Sequence, residues 1–541
     1  MNTSRLKKLD SNKVYDTIII GGGITGANIL WDLTLRGLDC ILFEKNDYAS
    51  GTSQATSKLI HGGLRYLKNA EFGLVRESLR ERRILGKLTP HSIRPMGFII
   101  PIYDFKNKFL LKAGLTLYDM LSFDRNKELS SDAMLPGHEF LSRERIISED
   151  PGIPREGLKG GFLYYDYANV NPERHTAEFI FSAKSKGQHA FNYSELISIE
   201  KKEELYSITV LDKMTSEKFN FSTRSLVNST GPWADSIDSM VDKNTDKHII
   251  RSKGIHIVVR NITGRHTTVI QTKDKKHLFI IPWRGKTLIG TTDTVYDDSP
   301  DNFQVNRKDI DTLINQVNNY LNFKITSNDV DYYFGGLRPL VEDSSADTKN
   351  TYDASRKTEI IDHSKFGKKG YFTAMGGKYT TSRGVAETVS DMITKYLGKG
   401  SGCKTKTENL ISGGYTDIPN LIKDLKSRFI DMSNEKAYYL TNRYGKMTEM
   451  ILTERNSNEA EPIFRLNFGN REPYYHEEIV YIVRNEDIMD FSDLLFRRTG
   501  IGNTGLPDES ILNKLIKIYE KEKEEKVSEE TLTRIKKRYQ F

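Results

Sequence analysis

The sequence predicts an α/β chain in three parts: a parallel-sheet nucleotide-binding unit, an antiparallel sheet inserted beside it, and an all-helical C-terminal domain. Three observations lead there. VYDTIIIGGGITGANILWDLTLRGLDCILFEK, at 14–45, reads as strand, glycine turn, helix and second strand. HIIRSKGIHIVVR, HTTVIQT, LFIIPW and KTLIGTTDT follow one another between residues 248 and 294 with turns between them, as in an antiparallel sheet. From Ile418 the apolar residues recur at helical spacing, as in LIKDLKSRF, AYYLTNRYGKMTEMIL and HEEIVYIVRNEDI.

In the first part, Thr17-Ile18-Ile19-Ile20 is a short β-branched run bounded by glycine, which suits a buried parallel strand. Gly21, Gly23 and Gly26 fill the three glycine places of GxGxxG. Gly21 makes the tight turn, Gly23 lets a pyrophosphate approach the backbone, and Gly26 lets the helix pack on the strand. The free N–H groups of that helix start then face a phosphate anion. Glu44 closes the second strand about twenty residues on, where a carboxylate accepts ribose hydroxyls and repels a 2'-phosphate. The motif is Rossmann-like and implies a dinucleotide; it does not choose between NAD and FAD.

Composition sets the remaining bounds. The 541 residues suffice for several domains, and 80 basic against 73 acidic residues leave a mild net charge of +7, spread along the chain and unlike a nucleic-acid footprint. Only Cys40 and Cys403 occur, so neither a disulfide framework nor a thiolate metal cluster is expected, and a reducing, cytoplasmic compartment fits. MNTSRLKKLDSNK has no signal-peptide apolar core, and no run of apolar residues is long enough to span a membrane. TKYLGKGSGCKTKTENLISGG reads as a linker, so the domains expected are 1–400, a composite with nucleotide parts at 14–95, 225–235 and 370–395 and a substrate part at 250–335, and 401–541, the helical domain. The closing IYEKEKEEKVSEETLTRIKKRY is expected to be a solvated charged helix.

After Glu44, NDYASGTSQATSKLIHGGLRYL is dense in Ser, Thr and Gly, able to offer many donors to an extended ligand. Together with VNSTGPWAD, RSKGIHIVV, IIPWRGKTLIGTTDT, FGGLRPL, AMGGKYTTSR, LTNRYGKMTEMIL and LLFRRTGIG, in that order, it resembles the FAD-dependent, quinone-linked glycerol-3-phosphate dehydrogenases of the D-amino-acid-oxidase-like flavoprotein superfamily. The resemblance covers nearly the whole chain. It implies a Rossmann-like FAD-binding domain with an inserted antiparallel-sheet substrate domain and the helical domain behind, holding non-covalent FAD.

The same resemblance implies the site. Gly21, Gly23, Gly26, Glu44, Thr52, Ser53, Lys58, His61, Gly231, Gly377 and Lys378 are the expected cofactor contacts, with His61 in a structural or hydrogen-bonding role. Gly376 and Gly377 precede an expected helix whose positive end would face the flavin. Trp233 reads as packing. Arg65, Tyr66 and Arg356 match phosphate-binding positions, His256 the base, and Arg338 and Lys378 the cations beside the reacting carbon and flavin. Glycerol 3-phosphate would be oxidised to dihydroxyacetone phosphate without a metal, electrons passing to a membrane quinone, from a chain attached peripherally to the inner membrane face. A homodimer is compatible with this. Rival readings are a glycerol-3-phosphate oxidase releasing hydrogen peroxide, an amine or amino-acid oxidase, and a non-catalytic flavin-binding module that docks partners.

One segment bears on the membrane. In FKNKFLLKAGLTLYDMLSF, 105–123, Phe109, Ala113, Leu117 and Met120 share a helical side with Leu110 and Leu121, while Lys106, Lys108 and Lys112 lie at its margins. That pattern suits either a packed helix or a monotopic anchor.

Overall fold

The opening strand, Val14–Ile20, is buried from Tyr15 onwards because it lies between two parallel neighbours, Lys218–Asn228 and Cys40–Phe43, and is covered on both faces. The computed structural model describes residues 3–242, 249–273, 276–340, 358–454, 461–466 and 471–541. Around that strand runs an eight-stranded sheet in the order Glu359–Asp362, Tyr371–Met375, Lys218–Asn228, Val14–Ile20, Cys40–Phe43, His189–Phe191, with Ser194–Lys202 and Leu205–Asp212 added as an antiparallel hairpin. Helix Ile24–Leu35 packs against helices Pro172–Ser185 and Ser382–Leu397.

A ten-stranded sheet stands beside it. It holds the expected strands between 250 and 335, and also Ile93–Pro101, Glu139–Leu141, Gly161–Asn169 and Leu59–Ile60, which sequence periodicity did not assign to it. Its central feature is the antiparallel pair Ile250–Arg260 with Val330–Leu340, in which His256 lies opposite Phe334, Gly254 opposite Gly336 and Ser252 opposite Arg338. Side chains two apart share a face, so this register puts His256, Phe334, Ser252 and Arg338 on one side of the sheet. The two glycines between them leave a gap in that face. A Cβ at Gly254 would stand 2.1 Å from Nη2 of Arg338, whose guanidinium fills the space.

The C-terminal region is helical as expected, from Ile418–Arg428 to Glu529–Lys537, except for a two-residue ladder, Phe464–Arg465 with Pro473–Tyr474, pinned by ring stacking of Phe464 on Tyr474. The charged tail is two helices, Glu509–Lys523 and Glu529–Lys537, because the chain turns through a left-handed residue at Glu524. It is not wholly solvated: Tyr539 packs on Tyr332, 5.5 Å between ring centroids, at the foot of the strand that carries Phe334.

Candidate active site

The glycine turn is built as its residues require. Gly21 has φ +104°, a conformation that side chains disfavour, and a Cβ at Gly26 would lie 1.9 Å from the Gly21 carbonyl oxygen. Helix Ile24–Leu35 starts at Gly23, and the Ile24 N–H donates to Ser53 Oγ at 2.9 Å. Glu44 is oriented by two backbone donors: Gly22 N–H to Oε2 at 2.7 Å and Asn46 N–H to Oε1 at 2.9 Å. Burial raises its pKa above the ordinary carboxyl value, and those two donors oppose the rise.

From this turn a cavity of about 310 Å³ runs along the ends of the parallel strands, lined by Glu44, Thr52, Ser53, Gly231, Gly377 and Lys378 among others. Thr52 Oγ1 donates to the Leu337 carbonyl at 2.6 Å, tying the loop to the antiparallel sheet. Gly231 has φ +58° and an added Cβ there would meet nothing within 4 Å, so its backbone borders open space. Gly376 and Gly377 are both left-handed and lead through a 3-10 turn, Tyr379–Thr381, into helix Ser382–Leu397. An elongated cavity with a helix start and a ribose-type carboxylate at one end and a glycine pair at the other fits FAD.

At the seam of the two sheets His256 is buried, its ring stacked on Phe334 at 5.0 Å and pressed against Gly290. Burial, with Arg338 and Lys58 adding positive charge, holds its pKa well below 6.5, so the imidazole is neutral. Its Nε2 lies 3.0 Å from Ser57 Oγ, and its Nδ1 is buried without a hydrogen-bond partner. Ser57 is half-buried and stands between the ring and the loop surface.

Three more expected residues meet nearby. Lys378 Nζ sits 3.9 Å from the Tyr66 ring centroid and 3.0 Å from Ser78 Oγ. Arg65 lies on the same ring at 4.7 Å and donates to Tyr66 Oη at 3.1 Å. Two cations thus converge on one phenol. The loop that presents Arg65 and Tyr66 is fixed where the Gly62 N–H donates to Tyr118 Oη at 3.0 Å and Tyr118 donates to buried Asp166. Arg338 donates to Thr291 Oγ1, the Thr292 carbonyl and Ser252 Oγ, with Asp293 at 3.6 Å.

Other expectations fare differently. Lys58 does not line the cavity: the chain turns left-handed there, φ 57°, and its ammonium is buried 2.5 Å from Glu173. The His61 backbone N–H donates to Thr380 Oγ1 at 3.3 Å. Arg356 lies outside the described residues. Trp233, read as packing, borders the cavity, with its Nε1–H on Asp301 at 2.8 Å and Lys45 Nζ over its ring at 4.3 Å. Ser57 stands inside the SKLIHGG string, and nothing local marks a serine there as the neighbour of a histidine 199 positions away. No group of His, Cys, Asp and Glu suited to a metal occurs among the described residues.

Comparison with known proteins agrees with this architecture. Residues 16–392 match the model of a family described as FAD dependent oxidoreductase, and residues 403–529 that of the C-terminal domain of alpha-glycerophosphate oxidase. A glycerol-3-phosphate dehydrogenase of Synechocystis sp. is 37% identical over 417 residues, 74% of this chain and 73% of that one. An aerobic glycerol-3-phosphate dehydrogenase of Staphylococcus aureus is 32% identical over 515 residues, 92% and 88%. Among solved structures, the glycerol-3-phosphate dehydrogenase from Bacillus halodurans complexed with FAD superposes with a TM-score of 0.73 at 25% identity, covering 97% of this chain and 93% of that one. L-alpha-glycerophosphate oxidase from Mycoplasma pneumoniae, with FAD bound, shares the fold at a TM-score of 0.53 and 15% identity, over 74% of this chain and 99% of that one.

Proposed function

Because the chain belongs to the FAD-dependent glycerol-3-phosphate dehydrogenases, we propose that it oxidises sn-glycerol 3-phosphate to dihydroxyacetone phosphate, removing hydride from C2. The observation that carries this reading is the register of Ile250–Arg260 against Val330–Leu340, which sets a neutral imidazole and a guanidinium on one face, beside the loop that lines the cofactor cavity. FAD, when bound, supplies the two-electron acceptor. Arg65, Lys378 and Tyr66 bind the phosphate dianion, since two cations on one phenol match its charge and its oxygens. His256 takes the hydroxyl proton at Nε2, the nitrogen that reaches Ser57 at the loop surface. Arg338 stabilises the negative charge that develops on the C2 oxygen. Anaerobic addition of glycerol 3-phosphate tests the whole assignment: the yellow colour of the holoenzyme should bleach, and a flavin that stays oxidised would reduce the chain to a binding module.

For the acceptor we propose a membrane quinone reached from the membrane surface, with helix Phe105–Leu121 as the docking element. Its inner residues Leu115 and Tyr118 are buried, while Phe109, Leu110 and Met120 are 75%, 69% and 67% exposed, and Phe123 beyond its end 79%. So much apolar surface on one element is unusual for a face meant for water. Lys112 is exposed at its margin; Lys108 is drawn over the Phe140 ring at 3.7 Å, and the Lys106 side chain lies outside the described residues. No helix among the described residues is long and apolar enough to cross a membrane, so attachment would be peripheral, on the cytoplasmic side. Binding to anionic liposomes should weaken strongly in Phe109→Glu/Met120→Glu and only modestly in Lys112→Glu, measured by co-sedimentation. Peroxide formed in stoichiometric yield, with no liposome binding, would favour the oxidase instead.

A further inference from the structure

The string LLFRRTGIG has no part in the chemistry above, yet its two arginines reach the cofactor loop. Arg497 Nε donates to Asp47 Oδ2 at 2.5 Å, and Arg498 donates to Oδ2 and Oδ1 of the same carboxylate at 2.9 and 2.8 Å. Asn192 Nδ2 adds a fourth donor to Oδ1 at 2.8 Å. Asp47 and Arg498 are fully buried. An ion pair sealed this way adds little net stability over apolar residues of the same shape, because desolvation offsets the attraction. What it does supply is a fixed direction for the segment that carries it.

That segment is the turn after Glu44. The Asn46 N–H, next to Asp47, is one of the two donors that aim the Glu44 carboxylate, and the other comes from Gly22. The same turn closes on the glycine loop through the Ala49 N–H, which donates to the Gly22 carbonyl at 3.0 Å from a left-handed residue, φ 61°. Ser50 N–H returns to the Asp47 carbonyl. Both groups that orient Glu44 therefore belong to one stitched unit, and the anchor of that unit is held from the C-terminal helices, 450 positions along the chain.

We infer that Asp47, gripped by Arg497 and Arg498, is a positioning residue for Glu44, so that affinity for FAD depends on the C-terminal region. The inference rests on the reading that Glu44 binds the adenosine ribose. It is tested by titrating FAD into flavin-free full-length protein and following the quenching of flavin fluorescence. Asp47→Asn and Glu44→Gln should each raise Kd about 10-fold, the loss expected for a hydrogen bond to a charged group. The double variant should be no more than about twofold weaker than Glu44→Gln alone, since both changes act through one carboxylate. The gain in melting temperature on adding FAD should shrink in Asp47→Asn, whereas a merely structural role would lower the flavin-free and loaded forms alike. Should Asp47→Asn not fold, Arg498→Lys, which keeps the charge but loses the paired donors, carries the same expectation of a raised Kd. An unchanged Kd in whichever of these two folds, with a raised one in Glu44→Gln, overturns the inference; an unchanged Kd in Glu44→Gln overturns the ribose reading and the inference with it.

Discussion

Replacing His256 by Ala should slow anaerobic flavin reduction by glycerol 3-phosphate roughly 100-fold or more, the loss typical of a missing general base. Binding of a non-reacting product analogue should change much less, because the proposed phosphate ligands Arg65, Tyr66 and Lys378 lie on elements other than the strand that carries His256. A base needs the right protonation state as well as the right position. Burial and the nearby Arg338 and Lys58 charges keep the ring neutral, the form able to accept a proton. The wild-type reduction rate should accordingly be flat down through pH 6.5, where an unperturbed imidazole would already be titrating, and fall only in more acid solution. The sign for stability is the same. Above pH 6.5 the ring is neutral in both states and its contribution is fully present; as the pH falls from 6.5 towards the lower folded value the unfolded ring is protonated while the folded one is not, and that contribution is lost. Equal losses in reduction and in analogue binding would show that His256 organises the site without serving as its base.

The parts legible in the sequence are those whose physics is local. Gly21 and Gly26 stand where the backbone tolerates no Cβ, and Glu44 follows at a spacing set by one helix and one strand, so a short window reveals all three. The amphipathic helix 105–121 is legible for the same reason, since a period of 3.6 needs no distant partner. Distance is what hides the rest. His256 meets Ser57 of a distant loop, and Arg338 meets Ser252 across strands paired by a register that no local pattern encodes; resemblance to a family identified His256 and Arg338, and composition alone could not. Lys58, a cofactor contact by resemblance, pairs with Glu173, 115 positions away, which no local pattern shows. The strands Ile93–Pro101 and Gly161–Asn169 join the substrate sheet only because the intervening helices fold them back together. Asp47 gave no sign of its role, since its arginines come from another part of the chain.

Arg338→Gln should lower the rate of flavin reduction about 100-fold, the effect of removing one preorganised donor from a site where negative charge develops. The guanidinium is held by oxygens at Thr291, Thr292 and Ser252 and pairs with the Asp293 carboxylate at 3.6 Å, which fixes it on the sheet face that carries His256. Its charge acts on His256 as well, where it is one of the causes of the depressed pKa. Removing it should move the acid limb of the pH–rate profile towards higher pH, while burial still keeps that limb below the ordinary imidazole value. A slower rate together with a shifted limb is a combination that other roles would not produce. Were Arg338 a phosphate ligand, KM would rise with kcat retained, because binding energy common to ground and transition states would be lost. Were it only packing against Gly254, the rate could fall, yet Arg338→Lys, which keeps the charge near the imidazole, would not restore the position of the limb. Recovery of the limb in Arg338→Lys and its displacement in Arg338→Gln, read from stopped-flow reduction across pH, would assign the charge itself to the chemistry.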